Sequence, residues 1–88
     1  MLRVNPDHAG AHNKLGALLQ KQGRINDALA EYAAALRSQP DYAEAHNNLG
    51  VALQGLRRYE EAVACYQQAL RHKPDFAEAH NNLGNALR

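Results

Sequence analysis

Apolar residues recur at three- and four-residue intervals along this chain of 88 residues. Leu15, Leu18 and Leu19 form one such stripe, and comparable stripes follow in later segments. This spacing places the apolar side chains on one face of an α-helix. No segment alternates apolar and polar residues with a period of two, as a half-buried strand would. The pattern predicts an all-α protein with five helices, at about residues 8–22, 25–38, 42–55, 59–72 and 76–88.

One phrase of eleven residues occurs three times. It reads PDHAGAHNKLG at 6–16, PDYAEAHNNLG at 40–50 and PDFAEAHNNLG at 74–84, so the copies start 34 residues apart. A fixed period of this length indicates stacked helical repeats. We expect a fragment of a longer array, with about 2.5 repeats in a single unit. Its divisions would be the tail of a preceding repeat (1–5), repeat 1 (6–39), repeat 2 (40–73) and the first helix of repeat 3 (74–88).

The predicted helices carry recognisable end signals. Asp41 with Glu44, and Asp75 with Glu78, have the spacing of a capping box, in which each side chain bonds a backbone N–H of the other residue. Gly23 follows the first helix and can adopt the left-handed conformation that ends a helix. The sequence thus predicts side-chain caps on the third and fifth helices.

Glycines at one position of the repeat lie inside the predicted helices. Gly16, Gly50 and Gly84 each cost about 1 kcal/mol relative to alanine in a helix interior. Their recurrence predicts close approach of the paired helix, with Ala28 and Ala62 as the facing residues.

Composition narrows the classes of partner and location. The formal charge is +1, which gives no indication of a nucleic-acid partner. The single cysteine, Cys65, has no second cysteine for an internal disulfide and fits a reducing compartment. No apolar run is long enough to span a membrane. We therefore expect a cytoplasmic protein with no membrane and no nucleic-acid partner.

The repeat resembles the tetratricopeptide repeat (TPR), and the resemblance covers the whole chain. The residues that carry it are Leu15-Gly16, Leu19, Ala28, Tyr32, Ala35 and Pro40 in repeat 1, and Leu49-Gly50, Leu53, Ala62, Tyr66, Ala69 and Pro74 in repeat 2. The resemblance implies antiparallel helix pairs, A and B, stacked as an α-solenoid in a right-handed superhelix. The A helices would line a concave groove for an extended peptide or a partner helix. Two positions depart from the family pattern. Histidine replaces the usual aromatic residue at 12, 46 and 80, and Arg57 replaces the glycine between the paired helices.

The repeats are also similar to those of O-linked N-acetylglucosamine transferases and of bacterial multi-repeat proteins. In those transferases a column of asparagines holds the peptide backbone, and the matching positions here are Lys14, Asn48 and Asn82. Helix spacing and the family geometry together place the following residues in the groove: Lys14, Glu44, Asn48, Val51, Gln54, Glu78, Asn82 and Asn85. Chaperone-binding members of the family clamp a terminal carboxylate with lysine and arginine. We reject that specificity here, because Glu78 would repel a carboxylate.

The sequence gives little support for a metal site, for catalysis or for phosphate binding. His12, His46 and His80 lie on successive A helices, about 8–10 Å apart, which is too far for one zinc ion with bonds of about 2 Å. They are expected to form local hydrogen bonds through a ring nitrogen. No nucleophile–base set or phosphate-binding glycine loop is evident. We predict no catalysis, no metal and no cofactor.

Three functions remain open at this stage. The chain is expected to be a scaffold that binds a protein or peptide segment in its groove. Alternatively, it is the targeting region of a glycosyltransferase whose catalytic domain is absent, or a structural module that self-associates. For self-association we predict an under-covered face with Phe76, Leu83 and Leu87, and either a homodimer or head-to-tail stacking.

Overall fold

A computed structural model describes residues 8–88 of the chain. This part contains five α-helices and no strand: α1 (His8–Lys21), α2 (Ile25–Ser38), α3 (Ala43–Gly55), α4 (Tyr59–His72) and α5 (Ala77–Leu87). Each end lies within one residue of the predicted bound, so the predicted all-α class is confirmed. The predicted tail at 1–5 and the start of repeat 1 lie outside the described residues.

The helices form two pairs and a half pair. α1 packs on α2, α3 packs on α4, and the pairs are joined through α2 with α3 and α4 with α5. The backbones of α1 and α3 also approach each other closely, as do those of α3 and α5, whereas the backbones of α2 and α4 lie farther apart. The A helices α1, α3 and α5 therefore lie closer together than the B helices α2 and α4. This difference makes the A-helix side of the stack its inner, concave side.

Turns within the pairs use one backbone motif twice. After α1, the Arg24 N–H bonds the Leu19 carbonyl at 2.9 Å, and Gly23 has φ of 81°. After α3, the Arg58 N–H bonds the Leu53 carbonyl at 2.9 Å, and Arg57 has φ of 65°. This is the Schellman pattern, whose left-handed residue is usually glycine. Arg57 therefore adopts the left-handed conformation that the repeat pattern predicts for its position.

The predicted capping boxes do not form. The residue that caps α3 is Tyr42, and the residue that caps α5 is Phe76; neither makes a side-chain cap bond. Because α3 begins at Ala43, Asp41 lies one position too early to cap it and Glu44 stands at the second helical position. The carboxylate of Glu44 still lies in the first turn, where the helix dipole favours a negative charge.

The repeated glycines are explained by tyrosines rather than alanines. A Cβ on Gly16 would stand 2.6 Å from Tyr32 Cε1, and a Cβ on Gly50 would stand 2.6 Å from Tyr66 Cε1. Both rings are almost completely buried. The close approach that we predicted is present, but the facing residue is the tyrosine. Nothing lies within 4 Å of a Cβ on Gly84.

The predicted under-covered face is only partly correct. Phe76 is buried, in a cluster with Ala43, Ala69 and Ala79, so it belongs to the core and not to an exposed face. At the N-cap position of α5, its ring packs back onto the preceding pair. Leu87 is 66% exposed, as predicted, and Leu83 is half-buried.

Candidate peptide-binding groove

The inner face is the concave surface formed by α1, α3 and α5. Two asparagine pairs join these helices side by side. The Asn48 Nδ2 donates to Asn13 Oδ1 at 2.9 Å, and the Asn82 Nδ2 donates to Asn47 Oδ1 at 3.0 Å. In both pairs the residues are 35 positions apart, so each bond links one A helix to the next. Asn48 and Asn82, which the sequence places in the asparagine column, are called the ladder residues below. They occupy equivalent positions in the repeat and make equivalent bonds.

Asn13 and Asn47 are the acceptors in these pairs, and sequence reasoning did not assign them a role. Asn47 is only 1% exposed, and its oxygen is satisfied by Asn82. Buried polar groups need such a partner, because a missing hydrogen bond costs about 1–3 kcal/mol. The signal in the sequence was the doubled asparagine of HNN, whose first member faces the next helix.

The lateral bonds fix the orientation of the ladder amides. The Nδ2 of Asn48 points towards α1, and the Nδ2 of Asn82 points towards α3. Each amide has a second N–H and an oxygen with two lone pairs, which can serve further partners. Both side chains are half-buried, so they are held in place but reach the surface. This arrangement provides oriented donors and acceptors on the inner face at α3 and α5.

The charged residues predicted for the groove are all exposed. Lys14 occupies the ladder position on α1, while Glu44 and Glu78 occupy one equivalent position on α3 and α5. The Glu44 Oε2 lies 4.0 Å from the Nζ of Lys73, which follows α4. A pair with this separation and exposure contributes little to stability. The N-terminal ends of α3 and α5 therefore present carboxylates to solvent.

The remaining predicted groove residues differ in accessibility. Asn85 is exposed, and Val51 is half-buried against the core cluster of α3 and α4. The Gln54 Oε1 accepts the hydroxyl of Tyr66 at 2.7 Å, so its amide is directed towards α4. Gln20 makes the corresponding bond with Tyr32, at 2.8 Å. Gln54 therefore stays a predicted groove residue, half-buried like Asn48, with its amide oxygen engaged in the α3–α4 pair.

Two of the three repeated histidines form local hydrogen bonds, as predicted. His46 Nε2 bonds the Pro40 carbonyl at 2.9 Å, and His80 Nε2 bonds the Pro74 carbonyl at 2.8 Å. Each of these nitrogens must carry the proton, because a carbonyl only accepts. His12 Nδ1 instead lies 2.7 Å from Glu31 Oε1 on α2. In residues 8–88 no three metal-binding side chains gather at one place.

Two neighbouring groups on α4 have raised pKa values. Burial, with a smaller contribution from the nearby Glu61 carboxylate, raises the pKa of Cys65 to about 11. Burial, followed by the Cys65 charge, raises the pKa of Tyr66 to about 12. Burial likewise raises the pKa of Tyr32. The Cys65 thiol is therefore protonated near neutral pH, which is unfavourable for a nucleophile.

Two sequence models of one family match the chain. A model described as "Tetratricopeptide repeat" matches residues 43–76, and a model described as "TPR repeat" matches residues 21–56. Together they span more than half of the chain and include parts of four helices. The comparison with curated proteins gave no significant match.

Solved structures show the same fold. The second TPR of Spaghetti (RPAP3), described as bound to the HSP90 peptide SRMEEVD, superposes with a TM-score of 0.90 at 23% identity, over 93% of this chain and 76% of that one. The MamA protein gives 0.87 at 23% identity, over 93% of this chain and 45% of that one. The first TPR of Spaghetti, described as bound to the same peptide, gives 0.59 at 20% identity, over 98% and 95%.

The fold and the repeated residues define an α-solenoid built from helix pairs. The chain belongs to the tetratricopeptide repeat family. In the described residues, no helix has the length and apolar character needed to cross a bilayer.

Proposed function

We propose that this chain is an interaction scaffold that binds an extended protein segment along its inner face. The observation that supports this most directly is the in-register pair of ladder amides. Asn48 and Asn82 are anchored by equivalent bonds, 2.9 and 3.0 Å long, to the preceding A helix. Asparagine is a poor helix former, so its use at two equivalent positions inside helices calls for a reason beyond helix formation.

The ladder amides match the chemistry of a peptide backbone. A peptide unit has one donor and one acceptor, and a carboxamide offers both. Because the lateral bonds restrict Asn48 and Asn82, little side-chain entropy would be lost on binding. Such a site would hold an extended segment through its main chain and would depend little on the ligand's side chains.

The exposed charges on the inner face favour some ligands over others. Glu44 and Glu78 would repel an acidic segment. Lys14, on α1, is the one basic residue among the predicted groove residues. The Spaghetti repeats described above are bound to a peptide with two glutamates and a terminal aspartate. For this chain we propose a neutral or basic segment, and we expect no measurable binding of SRMEEVD.

Peptide selection followed by mutation tests the proposal. Peptides would be selected from a random displayed library on the 88-residue chain, and their affinity measured by calorimetry. We expect the double variant Asn48→Ala with Asn82→Ala to bind at least about tenfold more weakly, since it loses two hydrogen bonds worth roughly 1 kcal/mol each. Asn26→Ala, an exposed change on α2, should leave the affinity unchanged.

A second control separates binding from folding. Asn13→Ala removes the same lateral bond as Asn48→Ala but leaves residue 48 in place. We expect Asn13→Ala to lower affinity less than Asn48→Ala does. Equal losses would mean that the asparagines act only by holding the helices together. A peptide that protects the inner face from hydrogen exchange is bound in the groove. If the double variant binds such a peptide with unchanged affinity, Asn48 and Asn82 do not hold the peptide backbone and the proposal is refuted.

The proposal involves no catalysis by this chain. Self-association, now restricted to Leu83 and Leu87, stays a prediction. The glycosyltransferase alternative also stays a prediction, and a catalytic domain encoded downstream in the parent gene would support it.

A further inference from the structure

The two ladder residues present their amides in the same orientation. Asn48 Nδ2 donates to Asn13 on α1, and Asn82 Nδ2 donates to Asn47 on α3. The oxygen and the nitrogen of a carboxamide diverge from one carbon atom, so each Oδ1 lies farther than its Nδ2 from the preceding A helix. Along the inner face, both amides therefore have their donor on the side of α1 and their acceptor on the opposite side.

This shared orientation fixes the direction of a bound peptide backbone. In an extended chain the N–H and the C=O of one residue lie on the same side, with the N–H nearer the N-terminus. A carboxamide that binds both groups places its oxygen against the N–H and its nitrogen against the C=O. Because each Nδ2 lies on the side of α1, the bound C=O lies on that side too. A segment held by Asn48 and Asn82 therefore has its N-terminal part at α5 and its C-terminal part at α1.

The spacing of the A helices sets how many ligand residues separate the two ladder contacts. Cα atoms of neighbouring A helices approach within 8 Å of each other. The axes of packed helices are about 8–10 Å apart, and an extended chain rises about 3.1–3.4 Å per residue, so about three ligand residues separate the contacts. A β-strand turns alternate residues to opposite sides, whereas a polyproline II helix returns to the same side at every third residue. Polyproline II is therefore the conformation that meets both ladder residues.

Exposed charges differ from one end of the inner face to the other. Glu44 on α3 and Glu78 on α5 are equivalent in the repeat, and the corresponding residue of α1 is Gly10. Lys14, also on α1, is exposed at the ladder position. Glu44 lies 4.0 Å from the Nζ of Lys73, whereas Glu78 makes no ion pair in the described part of the chain. The charge of the inner face therefore changes from negative at α5 to positive at α1.

We propose that the inner face binds a polyproline II segment of a partner protein in one direction, with the N-terminal part of the segment at α5. Two lysine or arginine side chains, three residues apart, lie near Glu78 and Glu44, and an acidic side chain three residues further on lies near Lys14. This inference rests on the proposed groove function and adds the direction, the conformation and the charge order of the ligand. The lateral bonds that support it join helices of the chain itself, at 2.9 and 3.0 Å.

Two probe peptides of identical composition test the direction. The forward probe reads GSKPAKPAEPAGS, and the reversed probe has the same residues in the opposite order, SGAPEAPKAPKSG. Each probe, with blocked termini and a fluorescent label, would be titrated with the 88-residue chain and followed by anisotropy. We expect saturable binding of the forward probe and at least about threefold weaker binding of the reversed probe. The charges of the reversed probe match the chain only when its backbone runs against the direction that the ladder amides favour.

Variants of the chain and of the probe test the charge order and the spacing. Lys14→Glu with Glu78→Lys exchanges two exposed charges at the ends of the inner face, so its circular dichroism should match that of the natural chain. We expect this double variant to bind the reversed probe more tightly than the forward probe. A third probe, GSKAKPPAEPAGS, has the same composition with its lysines two residues apart. It should bind the natural chain about threefold more weakly than the forward probe does.

A spin label measures the direction without reference to charge. A nitroxide at the N-terminus of the forward probe should broaden the amide NMR signals of α5 more than those of α1. Stronger broadening of the α1 signals would overturn the proposed direction.

The outcomes separate this inference from the groove proposal. If the two directional probes bind equally, and Asn48→Ala with Asn82→Ala weakens both, the groove function stands and the direction is overturned. If that double variant leaves both affinities unchanged, both proposals are refuted. Absence of saturable binding of the forward probe would overturn the inference, and so would a preference for the forward probe that persists after the charge exchange.

Discussion

The ring of Tyr66 lies directly on Gly50, so that a Cβ at residue 50 would be 2.6 Å from Cε1 of the ring. The ring is fully buried and its hydroxyl is bonded to Gln54, so it has little room to move. Glycine in the middle of α3 is therefore a requirement of the helix pair, and its low helix propensity is offset by the packing that it permits.

Because Tyr66 covers Gly50 and nothing covers Gly84, we expect alanine to have opposite effects on stability at these two equivalent positions. Gly50→Ala should destabilise the chain by about 1–3 kcal/mol, because the added methyl group overpacks the interface with Tyr66. Gly84→Ala should stabilise it by up to about 1 kcal/mol, because the site is open and alanine is the better helix former. Urea denaturation of both variants checks this, and effects of the same sign would contradict it.

Arg57 offers a second stability test. Its φ of 65° is a left-handed conformation that costs a side-chain-bearing residue roughly 1–2 kcal/mol. Arg57→Gly removes that strain but increases the entropy of the unfolded chain, so we expect a neutral or stabilising effect of up to about 1 kcal/mol. Gly23→Ala, at the equivalent turn with φ of 81°, should destabilise. A clear decrease in the denaturation midpoint of Arg57→Gly would disagree with this account.

Removing one or the other lateral asparagine bond should lower the free energy of unfolding by different amounts. Asn82→Ala leaves the oxygen of Asn47 without a partner in a side chain that is 1% exposed, and this should cost about 1–3 kcal/mol. Asn48→Ala leaves Asn13, which is half-buried and can bond to water, so it should cost less. Thermal denaturation of the two variants provides the comparison. A larger loss for Asn48→Ala would show that burial of Asn47 is not the deciding factor.

Stability should decrease at high pH in a defined window. Burial raises the pKa of Tyr66 to about 12, whereas an unfolded tyrosine titrates near its ordinary value of about 10. Between these values the unfolded state loses its proton first, so the stabilising contribution is complete below pH of about 10 and is lost as pH rises through about 12. Cys65, with its pKa raised to about 11, acts in the same direction.

Tyr66→Phe is the variant that checks the pH dependence. It removes the titrating hydroxyl together with its bond to Gln54, so it should be less stable near neutral pH and should lose less stability in alkaline solution. Urea denaturation midpoints measured across the alkaline range, for the natural chain and the variant, give the comparison. Parallel curves for the two proteins would mean that another group is responsible.

Self-association through the end of the stack is the last prediction. Leu87 is 66% exposed and Leu83 half-buried, and Leu15 and Leu18 on α1 are 43% and 53% exposed. Exposed apolar side chains of this kind favour association between copies. We expect a weak dimer, and Leu83→Gln with Leu87→Gln should lower the mass observed by sedimentation. A monomer at high micromolar concentration before any mutation would refute this prediction.

The sequence alone determined the class of fold and the helix bounds, because the repeat spacing, the apolar stripes and the turn residues are local signals. Arg57 illustrates this: its place in the repeat predicted a left-handed residue, and the structure has one. The family resemblance likewise followed from single positions, such as Gly50, Ala62 and Tyr66, read against a fixed period of 34 residues.

Contacts between helices were decided only by the tertiary structure. The partner of Gly50 is Tyr66 rather than Ala62, and Phe76 turns back into the core instead of facing outwards. The cap of α3 is Tyr42 because the helix starts one residue later than the box of Asp41 required. The bond between Asn47 and Asn82 joins residues 35 positions apart, and no local signal specifies which of two adjacent asparagines meets the next helix. Side-chain partners depend on the rotation and separation of packed helices, and these are set by the packing of the whole core rather than by any one segment.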